Sequence, residues 1–261
     1  MKSKGARGSQ KQTIRTIAER SPRVFAFGDI HGCNDELRIV LDTLTSQHGA
    51  SEDDQFVFIG DYIDRGPDSK GVIDTLINWK KSHPKTVFLR GNHEDMLLDF
   101  LGMGGSSGMV YLGNGGAEFF KSYGIEPNGP LSEVAKSLPQ EHLSFLTSLE
   151  LGVSIAEFLF VHAGIRPEAS LEDQNPHDLM WIRGEFIPNE HNLGKTVVFG
   201  HTPFADVFLH MPFKIGIDTG LVYGNLLSAV ELVDGTVFQV ELGGTEVMVS
   251  SLRDRLNSGS D

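Results

Sequence analysis

The 261-residue chain is poor in cysteine, in long apolar runs and in positive charge. A single cysteine, Cys33, excludes an internal disulfide and suits a reducing compartment. No apolar stretch approaches the roughly 18 to 20 residues needed to cross a bilayer, so no stable membrane association is expected. The opening MKSKGARGSQKQTIRTIAERSPR has no apolar core of the kind that marks a secretory signal, and a cytoplasmic location is expected. Basic residues number 22 against 35 acidic, a net charge of −13. Seven of the 22 fall within residues 1–23 beside the single acid Glu19, which leaves −19 on the remainder. So acidic a body lacks the basic surface that gives affinity for phosphate backbones, and no nucleic-acid partner is expected. The basic residues 1–22 read as a solvated tail with a short helix over 13–19, and the polar residues 251–261 as a second tail.

What is present is 39% hydrophobic residues and a rhythm. The apolar runs VFAFGDI (24–30), QFVFIGDY (55–62) and KTVFLRG (85–91) read as buried strands. CNDELRIVLDTLTSQ (33–47) and SKGVIDTLINWKKS (69–82) between them carry apolar residues at helical spacing, and HEDMLLDFLG opens a third helix. A strand and a helix every 30 residues or so is the length of a βαβ unit, which implies a parallel sheet with its chemistry at the carboxyl ends of the strands. EFLFVHAG (157–164) and TVVFGHT (196–202) are two further apolar runs, and Asp234-Gly235 is a hairpin signal. The Gly-rich stretch 102–116 reads as a mobile loop that begins an insertion over about 102–150. With no linker visible, residues 23–250 read as a single domain of two packed sheets.

Five of these runs end in groups able to hold metal or phosphate. They are Asp29 and His31; Asp61, Asp64 and Arg65; Asn92 and His93; His162; and His201. Each alone has a plain explanation, since Gly-Asp pairs and Asn are common in turns and caps. Independent turns have no reason to place Asp, His, Asn and His after five similar strands, so a shared metal site is expected. Asp29 and His31, two apart on an extended backbone, point the same way. Asp61 can bridge two metals, and Asn92, His162 and His201 complete the second. Nitrogen and oxygen donors without thiolate suit Mn, Fe or Zn. Two divalent cations against Asp29, Asp61 and a bridging hydroxide leave positive charge, which suits a phosphate ester. His48, His83, His142, His177 and His191 read as surface residues.

The ordered series GDIHG, GDYIDRGP, RGNHE, HAG and GHT resembles that of the phosphoprotein phosphatases, the Ser/Thr-phosphatase branch of the calcineurin-like metallophosphoesterases. The resemblance spans about residues 24–220. It implies an α/β/β/α sandwich of two mixed sheets flanked by helices and a dinuclear site, most often manganese, at the strand ends. It implies that Asp29 and His31 hold the first metal, that Asp61 bridges, and that Asn92, His162 and His201 hold the second. His93 would stay free and protonate the leaving alkoxide, oriented by Asp64. Arg65 would clamp the phosphate, helped by Arg183 in DLMWIRGEF, with Arg90 and Arg166 weaker candidates, and Glu94 would support the ligands. The activity implied is metal-dependent hydrolysis of phosphoserine and phosphothreonine by a metal-bridging hydroxide, on a phosphorylated protein or small phosphoester. The alternative is a symmetrical diadenosine tetraphosphate hydrolase. Those enzymes usually have Asn where Asp64 stands and often Asp where Glu94 stands. The chain lacks the longer carboxyl-terminal part of the eukaryotic phosphatases, and IDTGLVYGNLLSAVEL is closer to the bacterial members.

Overall fold

The computed structural model describes residues 13–18, 21–126 and 131–258. The first part of the chain runs β1 (Arg15–Ile17), β2 (Val24–Phe27), α1 (Asn34–Ser46), β3 (Gln55–Phe58), α2 (Ser69–Ser82), β4 (Thr86–Phe88) and α3 (Asn92–Phe100). Three helices follow: α4 (Gly116–Tyr123), α5 (Leu131–Lys136) and α6 (Gln140–Ser148). Then come β5 (Gly152–Ile155), β6 (Phe158–Val161), α7 (Pro176–Trp181), β7 (Thr196–Phe199), β8 (Phe208–His210) and β9 (Lys214–Gly216). The described chain closes with β10 (Leu226–Glu231), β11 (Thr236–Glu241), β12 (Met248–Ser251) and α8 (Leu252–Ser258).

These strands form two mixed sheets, ordered β12-β11-β10-β2-β3-β4 and β1-β5-β6-β7-β9-β8. The pleat sorts side chains between three apolar layers. In β2, Phe25 and Phe27 face the helices while Val24 and Ala26 face the other sheet. In β3, Phe56 and Phe58 take the helix side and Val57 the inter-sheet side. The rings stack across the strands, Phe25 on Phe56 at 5.2 Å and Phe27 on Phe58 at 4.2 Å. Each buried ring contributes about 2 to 3 kcal/mol of transfer free energy. β6 sends Phe160 toward the first sheet and Leu159 and Val161 outward, where Leu179 of α7, Ile182 and Phe186 cover them. The α/β/β/α sandwich is therefore asymmetric, with several helices on one face and one short helix plus loops on the other. Among the described residues no helix is long and apolar enough to cross a membrane.

β2, β3 and β4 are parallel and in register, Phe27 beside Phe58 and Phe58 beside Phe88. Their carboxyl ends therefore finish at one level. β10 and β11 form the expected hairpin around Asp234-Gly235, paired from Glu231–Thr236 outward.

Several expectations need correction. Residues 13–18 are neither helix nor solvated tail. Arg15–Ile17 is an edge strand paired in parallel with β5, Ile14 is buried, and Arg15 makes a two-pronged salt bridge to Glu150 at 2.6 and 2.8 Å. The β-branched Thr-Ile-Arg-Thr-Ile run favours strand when an edge is available; the rest of that tail reading, residues 1–12, 19 and 20, lies outside the described residues. The carboxyl-terminal tail is in part α8, with the backbone N–H of Leu252 on the carbonyl of Gly235. The stretch 102–116 is wound into 3-10 turns at Gly108–Val110 and Leu112–Asn114, and Tyr111 between them is fully buried. Three of the histidines read as surface residues are buried: His83 stacks on Trp79 at 3.6 Å, His142 bonds Tyr123 and Asp74, and His191 donates to the Phe213 carbonyl. Each has partners remote in sequence or a stacked neighbour, which residue type alone does not reveal.

Candidate active site and metal centre

The loops after β2, β3, β4, β6 and β7 meet at one edge of the two sheets. Backbone N–H groups of Ile30 and His31 both donate to the Asp61 carbonyl, at 3.1 and 2.9 Å, which ties the first loop to the second. The His93 N–H donates to Asp61 Oδ1 at 3.1 Å, and the His201 N–H to Asp29 Oδ2 at 3.1 Å. These turns are tight. His31, Asp61, Asp64, Arg65 and His201 all have positive φ, between 47° and 73°. Left-handed backbone is uncommon outside glycine and is held only where surrounding contacts determine it. Gly91 is needed for a different reason: a Cβ there would lie 2.1 Å from Asp61 Oδ1.

Glu94 supplies much of that determination. Fully buried on the first turn of α3, it accepts N–H groups of Gly91 and Asp61 at Oε2 (2.9 and 3.0 Å) and of Tyr62 at Oε1 (2.8 Å). One carboxylate thus caps a helix and fixes the turn that carries Asp61.

The donor atoms suit a cation. His31 Nδ1 donates to the Ile63 carbonyl at 2.8 Å and His162 Nδ1 to the Ile59 carbonyl at 2.9 Å. In each neutral ring that leaves the Nε2 lone pair facing inward, the second-sphere pattern typical of metal-binding histidines. Asp61 Oδ2 lies 3.5 Å from His31 Nε2 and 3.4 Å from His162 Nε2, nearly equidistant from the two. Asn92 Oδ1 sits 3.0 Å from His162 Nε2 and 2.9 Å from His201 Nδ1. Lone pairs converging in this way, with Asp61 shared, fit two neighbouring divalent ions. Among the described residues, two sets have their donor atoms all within 4.8 Å of one another inside each set: His31, Asp61 and His93, and Asp61, His162 and His201. Asp29, expected beside His31, is outside both sets, and its carboxylate receives the His201 N–H.

Burial governs the ionisation of these groups. It pulls His31 down to about 3 and His201 to about 2, so both rings are neutral at neutral pH and each keeps one nitrogen lone pair. Burial, then the Asp218 and Asp61 carboxylates, raise Asp29. Burial alone would raise Asp61 too, but the His162 and His93 rings overcome it and hold that carboxyl well below its usual range. His162 is correspondingly raised by Asp61, against burial.

His93 and Asp64 form a separate buried pair, with His93 Nδ1 2.6 Å from Asp64 Oδ2. Burial raises Asp64 and pulls His93 down to about 4. The 2.6 Å separation of His93 Nδ1 and Asp64 Oδ2 requires one proton between them, whichever of the two carries it.

An open cavity of about 350 Å³ adjoins the cluster, lined by Asp61, Asn92 and His201 together with Arg65 and Arg183. Arg65 Nη1 lies 2.5 Å from His31 Nε2, and its guanidinium sits 5.4 Å from the Tyr223 ring. Arg183 Nη2 donates to the His201 carbonyl at 2.9 Å. The other two arginines are engaged elsewhere, Arg90 with Asp95 and Arg166 with Asp178 and Glu185.

A sequence model described as calcineurin-like phosphoesterase matches residues 22–227. The chain belongs to the calcineurin-like phosphoesterase family. It is a metallophosphoesterase, of a family that uses dinuclear divalent metal sites. Serine/threonine-protein phosphatase 1 of Salmonella typhimurium is 29% identical over 229 residues, 84% of this chain and 95% of the relative. An asymmetrical bis(5'-nucleosyl)-tetraphosphatase of Oceanobacillus iheyensis is 30% identical over 233 residues, 79% of this chain and 87% of the relative. A solved structure assigned provisionally as a diadenosine tetraphosphatase superposes with TM-score 0.64 at 24% identity, covering 88% of this chain and 98% of its own, a likeness of fold.

The phosphoesterase also places residues at the cavity that its motifs do not reveal: Asn114, Trp181, Asp218 and Tyr223. Asp218 could have been found, since it follows the apolar β9 as Asp29 follows β2. Tyr223 and Asn114 lie in turns with no apolar rhythm to place them.

Proposed function

We propose that this metallophosphoesterase is a serine/threonine protein phosphatase, hydrolysing phosphomonoesters whose leaving group is an alkoxide. The observation that carries the reading is the buried His93–Asp64 pair, 2.6 Å apart beside the candidate metal cluster. An alkoxide is a base of about the strength of hydroxide, whose parent water has a pKa of about 15.7, and it leaves poorly without a proton. A nucleotide phosphate, with a second pKa of about 6, leaves as a stable anion and needs no acid. A fixed histidine–carboxylate pair is therefore more useful to a phosphatase acting on serine or threonine.

In this reading Asp29, His31, Asp61, Asn92, His162 and His201 hold two divalent ions, proposed here as manganese. Such ions supply positive charge and lower the pKa of bound water. Arg65 and Arg183 bind and orient the phosphate oxygens; a planar guanidinium fork matches them. His93 donates its proton to the departing oxygen, and Asp64 aims the ring. Asp61 stays ionised, and Glu94 keeps its turn in place.

One observation favours a second reading, hydrolysis of dinucleoside tetraphosphates. Trp181 and the exposed Tyr223 flank the cavity and offer faces on which an adenine could stack. The test is turnover of a phosphothreonine peptide and of diadenosine tetraphosphate side by side, with Mn²⁺ and with EDTA. Metal-dependent turnover dominated by the peptide supports the proposal. Dominant nucleotide cleavage transfers the protein to the second reading.

A further inference from the structure

We propose that Tyr111 is a positioning residue for proton donation by His93. It completes a chain Tyr111–Asp64–His93 that joins the Gly-rich insertion to the reacting centre. This rests on the reading of His93 as general acid.

Tyr111 is an exception in its segment. Its neighbours Met109, Val110 and Leu112 are exposed, whereas Tyr111 is fully buried. Its hydroxyl donates to Asp64 Oδ1 at 2.7 Å, and Asp64 Oδ2 is the oxygen held by His93 at 2.6 Å. The carboxylate is itself fully buried, so no solvent takes the place of either partner. The ring packs between Phe100 at 5.5 Å and Phe120 at 6.1 Å, and a Cβ on Gly116 would come within 2.6 Å of it. Packing alone would be served by phenylalanine. A buried hydroxyl costs free energy unless it is bonded, and this one is bonded to the one oxygen of Asp64 that His93 leaves over.

The consequence is orientation. A carboxylate held at one oxygen can rotate about its Cβ–Cγ bond and carry the imidazole with it. Held at both oxygens it is fixed, and so is the direction of His93 Nε2, the nitrogen left to act once Nδ1 is bound. In the step itself a water-derived hydroxide oxygen bonds to phosphorus as the P–O bond to the leaving group breaks, that bond's electron pair goes to the leaving oxygen, and the proton on His93 Nε2 moves to it. Asp64 and Tyr111 exchange no proton with the substrate. The same segment also steadies the adjacent arginine: the Arg65 N–H donates to the Gly115 carbonyl at 3.1 Å. Asp64 and Arg65 both sit in left-handed backbone, and this insertion holds each of them from the other side.

The experiment compares leaving groups. 2,4-Dinitrophenyl phosphate has an acidic leaving group that departs without a proton, while a phosphothreonine peptide needs one. The quantity read is the ratio of kcat for the dinitrophenyl ester to kcat for the peptide, in wild type, His93→Asn and Tyr111→Phe. General acids contribute about 10²- to 10⁴-fold, and His93→Asn should raise the ratio by that order. Tyr111→Phe should raise it about tenfold through kcat on the peptide, with KM moving less than twofold and metal content equal to wild type. If His93→Asn leaves the ratio at its wild-type value, the general-acid reading fails and Tyr111 with it. If His93→Asn raises the ratio but Tyr111→Phe slows both substrates equally, or neither, the Tyr111 proposal fails alone. A Tyr111→Phe protein that loses metal or melts early, with equal loss on both esters, likewise marks a structural residue and overturns it.

Discussion

Replacing Glu94 with glutamine tests whether one buried carboxylate organises the site. The carboxylate receives three backbone N–H groups at 3.0 Å or less, from Gly91, Asp61 and Tyr62, and a longer one from Ile63 at 3.4 Å. Glutamine has the same shape but only one accepting oxygen. Its NH₂ must face either the Gly91 and Asp61 N–H groups or those of Tyr62 and Ile63, donor against donor. A buried donor left without an acceptor costs about 1 to 3 kcal/mol, so Glu94→Gln, which sets two N–H groups against one NH₂, should cost about 2 to 4 kcal/mol. For a chain of this size, at about 2 to 4 °C per kcal/mol, Tm should fall by about 5 to 15 °C. Melting in EDTA isolates that loss from metal stabilisation, because a ligand of the folded state raises Tm by itself. Displacement of the Asp61 turn should also weaken metal binding about 10- to 100-fold, the usual effect of removing an outer-sphere partner. A Glu94→Gln protein with Tm within about 2 °C of wild type and unchanged metal affinity would refute the reasoning.

Other outcomes follow from the same geometry. Asp61→Asn removes the charge shared by both donor sets, and metal content measured by plasma mass spectrometry should fall well below that of wild type, with turnover lost. Arg183→Ala should reduce kcat/KM on phosphoesters and weaken competitive inhibition by inorganic phosphate; an unchanged phosphate Ki would place this arginine outside the substrate site. Ile14→Asp buries a charge where β1 meets the outer layer and should cost more than about 3 kcal/mol; a wild-type denaturant midpoint would mean that the edge strand is dispensable. Lys214 is fully buried and donates to the carbonyls of Phe186, Ile187 and Asn189, in the loop after Arg183. Lys214→Met should loosen that loop, and limited proteolysis should detect new cleavage near residues 186–189.

The strands are legible, and candidate site residues can be proposed at their ends, because both follow one rule. An apolar run of four or five residues ends, and a polar group that needs the strand end follows directly. Parallel β2, β3 and β4 place such ends side by side, so order in the sequence translates into adjacency in space. Asp218 obeys the same rule after β9 and was within reach. Tyr111 was not, for it sits among glycines, where the sequence suggests freedom. Its place is set by a bond to a residue 47 positions earlier. β1 was misread because three edge residues carry too little pattern to outweigh the charge around them. The buried histidines eluded the reading for a related reason. His142 is held by Tyr123 and by Asp74, 68 residues away, and neither spacing nor composition announces such a pair.

The central claim is that Asp61 and the histidines around it hold a pair of divalent ions on which phosphoester hydrolysis depends. It is tested most directly by stripping the protein with EDTA and titrating Mn²⁺ back, with bound metal and phosphothreonine-peptide turnover measured on the same samples. The account predicts two equivalents bound, with turnover absent from the stripped protein and rising as the second equivalent fills. Full turnover by the stripped protein, or saturation of activity without stoichiometric binding, would contradict it.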